Sequence, residues 1–451
     1  MTIWANIVKR FRAPALPIPG REYDPQFFDK LLSVLRLYFN QLDNLLERIV
    51  EASPVAVSLY GTALDAFGRA RFSQPYTLFD SQNRYAKNDL FSESTATGGN
   101  VSYDANASTV ELNVTATNGS EVVRQTYRSF SYQPGKGLLV MNTFVMPTAN
   151  SNQRIRIGYF NTENGVFLER EGTAVYITRR TYVTGTAIDT RVAQADWNGD
   201  KLNGTGASGY TLDLTKAQIF WEDFEWLGVG SVRCGFVING ETIICHTFQN
   251  ANNLTSVYMT TAILPVRYEI TNTGASTAAT LKQICSTVIS EGGYEKKVAT
   301  DVVRMTAVNT NITTASFTPL VSIRLAPGRT GAVIIPDGYS VLPTATSSVT
   351  FEVLMIKNAT LTGPTAWNAT SSSNVQADIA STGCSGGTIV HSSYVLASNL
   401  SSNLVSNGTD YNWDLQLGAT LAGVSDTYTV AVRALTGTHS AIGTMAFWDL
   451  T

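Results

Sequence analysis

Between Pro25 and Ser53 the apolar positions step by four and three in turn: Phe28, Leu32, Leu35, Phe39, Leu42, Leu46 and Ile49. A flanking line, Leu31, Tyr38 and Leu45, repeats every seven residues. A spacing near 3.5 held this long predicts an amphipathic helix that packs side by side with other helices. Asp24 stands where an N-cap accepts the first free amides, and Pro25 where a missing N–H costs nothing. Ser53-Pro54 stops the pattern, which gives a helix about 40 Å long at 1.5 Å per residue. Upstream, residues 13–20 (APALPIPG) are too rich in proline to be helical and read as an extended arm.

Past Arg84 the period changes to two. Val110, Leu112, Val114 and Ala116 alternate with Glu111, Asn113 and Thr115, the pattern of a half-buried strand. Further strands are expected at Gly137–Val145, Arg154–Phe160, Val166–Glu169 and Val175–Thr178, separated by turns rich in Gly, Asn and Thr. Asn239-Gly240 predicts a two-residue hairpin, because both central positions need positive φ. Counting outward sets Ile238 opposite Glu241, Phe236 opposite Ile243, Cys234 opposite Cys245 and Arg233 opposite His246. The two cysteines then sit at a hydrogen-bonded pair, where side chains diverge, and read as buried thiols. From Leu325-Ala326-Pro327-Gly328 onward a last group of strands follows. Val349, Phe351, Val353 and Met355 alternate with Thr350, Glu352 and Leu354, Trp413, Leu415 and Leu417 alternate with Asp414 and Gln416, and the chain closes on Met445–Leu450.

The expected fold is mainly β: a long N-terminal α-helix followed by two antiparallel, jelly-roll-like β-sandwich domains. Residues 1–60 would form the arm and helix, 61–300 a middle sandwich with a leading transition segment, and 301–451 a C-terminal sandwich.

Composition sharpens this picture. Only 15% of the 451 residues are charged against 44% hydrophobic, well below the usual quarter of charged residues, so polar turns and strand faces must rely on Thr, Ser and Asn. A net charge of −3 leaves no electrostatic footprint for nucleic acid. No stretch nears the ~18 consecutive apolar residues of a membrane span, and residues 1–17 lack the apolar region of a secretory signal. Folding in a cytosol is therefore expected, and the Asn-x-Ser/Thr triplets at Asn113, Asn203 and Asn368 read as products of composition. Four cysteines in this length do not make a disulfide framework.

The stretch with most chemical promise is Phe220-Trp221-Glu222-Asp223-Phe224-Glu225-Trp226. Rings beside carboxylates are what sugar-binding and glycosidase sites use, so Trp221, Glu222, Asp223 and Glu225 are candidate glycan contacts. Strand alternation sends Trp221, Asp223 and Glu225 to one face and Glu222, Phe224 and Trp226 to the other, which favours a plain strand with Phe224 and Trp226 in the core. Asp196, Asn198 and Asp200 space oxygens as a calcium loop does, but Lys201 and Ala207 stand where Gly and Glu are needed, so an Asx turn is expected. His246, His391 and His439 form no ligand motif. No nucleophile elbow or phosphate loop is present, and Gly135-Lys136-Gly137 after Pro134 reads as a turn. No catalytic residue, metal or cofactor is expected.

Several runs resemble known proteins. Ala15-Leu16-Pro17-Ile18-Pro19, Tyr23-Asp24, Phe27-Phe28 and Leu37-Tyr38-Phe39-Asn40-Gln41-Leu42 resemble N-terminal segments of structural proteins from cyanophages and other marine tailed phages. Tyr132-Gln133-Pro134-Gly135-Lys136, Arg156–Phe160, Trp197–Gly204, Asp223–Gly230 and Leu264–Ile270 look like a β-domain recurring in the same proteins. Asn374-Val375, Leu415–Gly418 and Leu421–Thr427 look like another. The resemblance implies a virion structural protein of tail-fibre type and brings no catalytic residues with it. The expectation is an appendage, a tail fibre, spike or fibre adaptor, assembled in the host cytoplasm and carried on the virion. Phe28, Leu32, Leu35, Phe39, Leu42, Leu46 and Ile49 would anchor it or bring copies together, as a trimer for preference. Its partners would be other virion proteins of tail or capsid and host surface polysaccharide, without nucleic acid or membrane insertion. The rivals are a head-decoration or head-fibre protein, and a polysaccharide depolymerase using Glu222, Asp223 or Glu225.

Overall fold

A computed structural model describes residues 25–51, 73–295, 300–344, 348–398, 401–402, 405–407 and 413–451, with backbone alone for 25, 41–51, 300, 398, 401–402, 405–407 and 413. The expected helix, α1, runs Pro25–Glu51. Its proline start and its stop before Ser53-Pro54 follow the sequence signals; Asp24, the arm and residues 52–72 lie outside the described residues. Between residues 26 and 40 no side chain of α1 is buried, and Phe28, Leu32 and Phe39 are about half exposed.

Residues 73–451 form a separate compact unit of antiparallel sheets. Sheet I has eight strands. Seven run in the order Glu241–Phe248, Val232–Ile238, Gln218–Phe224, Leu138–Val145, Ala279–Ser290, Thr109–Val114 and Asn100–Asp104, while Tyr76–Gln82 also pairs with Ala279–Ser290. Sheet II has seven: Ile188–Ala193, Ala174–Thr181, Gly165–Glu171, Gln153–Phe160, Val266–Asn272, Glu121–Thr126 and Phe91–Ala96. Their inner faces share one core, with Val140, Phe220, Phe236 and Val288 from sheet I against Ile155, Ile157, Leu168 and Tyr268 from sheet II. The strand Leu138–Val145 alternates buried and half-buried residues along its whole length, as period two requires.

Two further sheets come from residues 300–449. Sheet III is built on His439–Asp449 and Ile334–Pro343, sheet IV on Thr318–Leu325, Thr427–Ala434, Val349–Lys357 and Thr388–Ser398. Their core contains Ile323, Val341, Phe351, Val353, Val430, Met445 and Phe447. Among the described residues no ladder joins sheets I and II to sheets III and IV. The cores are not separated in the same way. Val333 and Ile335 are buried in the first core, with Trp448 and Leu450 packed against it, whereas Ile334 between them belongs to the second.

Two expectations fail locally. The hairpin starts as counted, Ile238 opposite Glu241 and Phe236 opposite Ile243, but a bulge after Gly235 sets Cys234 opposite His246 and Arg233 opposite Thr247. One extra residue on the return strand slips every later pair by one. Gly235 suits the irregularity, since a Cβ there would lie 1.9 Å from the Ile243 carbonyl oxygen. Cys234 and Cys245 are both buried and free, and burial pushes the Cys245 thiol up to about 12. The second failure is Trp413–Leu415, a short 3-10 turn rather than a strand. From here the chain bonds in turn to both halves: Gln416 Nε2 donates to the Ser129 carbonyl at 2.8 Å, Leu417 N to Ile334 O at 2.8 Å and Ala419 N to Tyr127 O at 2.9 Å. Partners on two sides replace the single ladder that its alternation implied.

Truncating a side chain at this seam tests the shared core. Ile335→Ala is expected to lower stability by about 2–5 kcal/mol and keep one cooperative transition in calorimetry, because the cavity opens where both halves meet. A separately melting half would contradict the seam.

Candidate functional site

The aromatic and acidic stretch forms the strand Gln218–Phe224, the third in sheet I, paired with Leu138–Val145 on one side and Val232–Ile238 on the other. Alternation holds. Phe220, Glu222 and Phe224 face sheet II, and Trp221 and Asp223 face outward. A strand with neighbours on both sides leaves little of its side chains in water, so Trp221, Glu222 and Asp223 are all buried. Of the four candidate glycan contacts only Glu225 is exposed, where it accepts a hydrogen bond from Ser231 Oγ at 3.1 Å. The structure therefore does not bring the four together on a surface.

Glu222 lies between the two sheets. Its Oε2 accepts the Tyr159 N–H at 3.1 Å, and its Oε1 has no partner in the protein. Gly158 leaves room for it, since a Cβ there would lie 2.7 Å from Oε1. Burial without a countercharge holds the carboxyl well above the usual carboxylate range, so it is kept protonated. Asp223 on the other face is ion-paired with Arg233, which donates to it through Nε at 2.9 Å and through Nη2. Burial first, and then the Asp223 charge, raise the Glu291 carboxyl beside this pair.

Past Phe224 the chain leaves the ladder in a tight loop. Gly230 N donates to Trp226 O at 2.7 Å and Glu225 N to Ser231 O at 3.0 Å. Position 230 requires glycine, because a Cβ would approach the Glu225 carbonyl oxygen to 1.6 Å. This loop carries Trp226 to the wall of a cavity of about 320 Å³, with Tyr132 and Tyr294. Sequence reading named Tyr132 only within a run of resemblance, with no site role, and did not name Tyr294. The available signal was Gln133-Pro134-Gly135-Lys136 beside Tyr132, which forms the expected turn with Gly135 at φ +86° and Lys136 N donating to Gln133 O at 3.1 Å.

The remaining candidates are structural. Asp200 caps its loop, accepting Leu202 N at 2.8 Å and Ser208 N at 2.7 Å, as an Asx turn does. His246 packs edge-on to Phe248 and accepts Asn198 N at 3.3 Å, and burial lowers its pKa. Among the described residues no group of three or more His, Cys, Asp or Glu side chains could hold a metal, and no helix is long and apolar enough to cross a membrane. Of the oligomerisation residues, Phe28, Leu32, Leu35 and Phe39 lie on α1 with exposed or half-exposed side chains, while the side chains of Leu42, Leu46 and Ile49 lie outside the described residues.

No protein-family model and no curated protein matches the chain. Solved structures match in part. An endo-β-1,4-glucuronan lyase of the fungus Trichoderma reesei shares 12% identity at a TM-score of 0.32, over 47% of this chain and 95% of the lyase. A Bacillus licheniformis β-glucanase matches at 12% and 0.32, over 47% of this chain and 96% of its own. A carbohydrate esterase from the Shiga toxin-encoding bacteriophage phi24B matches at 12% and 0.29, over 48% and 100%. Likenesses this weak carry no argument about activity.

Glu222 makes stability depend on pH. The folded state holds its proton above the pH at which the unfolded chain releases it. Stability is therefore full below the ordinary carboxylate pKa and falls by about 1.4 kcal/mol per pH unit above it, until the folded group itself ionises. Glu222→Gln is expected to leave the unfolding midpoint nearly unchanged near pH 4 and to raise it near pH 8, as read by thermal melts. An equal change at both pH values would remove the buried-acid account.

Proposed function

We propose that this chain is a structural component of a bacteriophage virion, a tail fibre, spike or fibre adaptor that self-associates through α1 and displays its β-sandwiches. One observation carries the reading: a 27-residue helix with a continuous apolar stripe in which no side chain between residues 26 and 40 is buried. An isolated helix gains little from propensity alone, and its stability comes from covering an amphipathic face. The occupant is a second and third copy of the same helix. The stripe repeats at 3.5 residues over about three heptads, and the Leu31 and Tyr38 line widens it beyond a two-stranded seam. The N-terminal and β-domain segments that resemble marine phage structural proteins supply the virion setting. The charge-poor, Thr- and Ser-rich strands suit display of neutral β surfaces.

Phe39→Asp would bury unpaired carboxylates at the helix axis. The natural protein is expected to scatter light as a trimer and the variant as a monomer, with the β-sheet circular dichroism spectrum unchanged. A chain starting near residue 60 should stay folded and fail to enter particles. A monomeric natural protein, or particles carrying the shortened chain at normal amounts, would defeat the reading.

A further inference from the structure

The cavity beside Trp226 lies in the seam of the compact unit. Its walls come from residues 131–134 and 260–263, from Trp226, Tyr294 and Glu295, and from Leu450 and Thr451. At about 320 Å³ it has the size of a small-ligand site. Tyr132 and Trp226 meet edge to face, 6.2 Å between centroids and 74° between planes, which fixes the indole's orientation before any ligand arrives.

The hydrogen-bonding groups in the wall are unevenly used. Thr260 Oγ1 accepts Asn164 Nδ2 at 2.8 Å, and Thr261 Oγ1 accepts Ile263 N at 3.1 Å, which leaves each hydroxyl a hydrogen to donate. The Trp226 indole N–H is shielded from solvent and has no acceptor in the protein. Gln133 is already committed, since its Oε1 accepts Glu295 N at 2.9 Å and its Nε2 donates to Glu295 O at 2.6 Å. Trp226, Thr260 and Thr261 thus each have a hydrogen to donate beside aromatic surface.

We propose that this cavity binds one neutral pyranose ring of a saccharide, held by Trp226, Tyr132 and Tyr294 and by hydrogen bonds from Trp226, Thr260 and Thr261 to its oxygens. A sugar offers an apolar C–H face to the rings and oxygen acceptors to the donors. A cation offers those donors nothing, and the one side-chain carboxylate in the wall, Glu295, lies 3.8 Å from the Lys136 ammonium, which offsets it. An anion would meet that same carboxylate. Sugar binding here requires neither a trimer nor a virion, and it uses none of Trp221, Glu222, Asp223 or Glu225.

Titration calorimetry of the whole chain against the methyl pyranosides of glucose, galactose, mannose and N-acetylglucosamine tests this, with tetramethylammonium chloride and sodium acetate as charged probes. At least one glycoside is expected to bind saturably with a millimolar or tighter Kd, and neither ion should bind. Trp226→Phe keeps a ring and removes the N–H, and should weaken binding about tenfold. Thr260→Val should weaken it in the same direction; because it also strips buried Asn164 Nδ2 of its acceptor and lowers the melting midpoint, binding is read at a temperature where thermal melts show the variant fully folded, so a loss of binding is not a loss of folding. Failure of every glycoside to saturate, equal affinity in both variants, or binding of an ion in place of the sugars would each overturn the proposal. None of these results alters the expected behaviour of Phe39→Asp.

Discussion

Successive side chains of an extended backbone point to opposite faces, and at Val333-Ile334-Ile335 this lets three adjacent apolar residues serve two cores. Val333 and Ile335 enter the core of sheets I and II, while Ile334 enters that of sheets III and IV. The neighbouring strand does the same at its end: Met445 and Phe447 lie in the second core, and Trp448 opposite Ile335 packs against the first. Neither half can move without stripping apolar surface from the other. Gln416 Nε2 and Ala419 N add hydrogen bonds to the Ser129 and Tyr127 carbonyls across the same seam, and residues 73–451 form one compact unit. The cavity walled by Tyr132, Trp226 and Leu450 lies along this junction, where Leu450 and Thr451 meet residues of the first core.

Inside the first core polar contacts cross from sheet to sheet. Arg124 Nε donates to Gln283 Oε1 at 2.7 Å, Tyr268 Oη to Asn142 Oδ1 at 3.1 Å, and Tyr159 N to Glu222 Oε2 at 3.1 Å. Buried polar groups are costly unless paired, and pairing across the gap admits only one alignment of the two sheets. Arg124 is fully buried yet well supplied, with Glu93 and the Asn88 carbonyl as further partners and Phe91 beneath its guanidinium. Glu222 has a single partner and keeps its proton instead. One residue type meets the same burial by pairing, the other by neutralisation.

The outer face of sheet II handles charge differently. Arg156, Arg180, Arg191 and Arg267 interleave with Glu169, Asp189 and Glu269, and the Phe160 and Phe167 rings lie under Arg267, Arg156 and Arg180. Glu169 receives both Arg156 and Arg191, and their charges hold it below the usual carboxylate range despite its burial. Each long side chain orders its neighbours, so few charged residues suffice to cover a wide sheet in a charge-poor chain.

Local periodicity determined much of this protein. The repeat from Phe28 to Ile49 and the Pro25 start gave the span of α1, and alternation gave Leu138–Val145, Val349–Lys357 and the facing of Phe220, Glu222 and Phe224. Those patterns are legible because each residue's burial is set by its neighbours two, three or four positions away. The bulge that parts Cys234 from Cys245, the turn at Trp413–Leu415, the burial of the candidate glycan residues and the meeting of Tyr132 with Trp226 were decided by the tertiary structure. Each depends on which strand lies alongside, or on groups a hundred or more residues away that supply a hydrogen bond or cover a face. Alternation tells which face a side chain takes, and only packing determines whether water reaches that face.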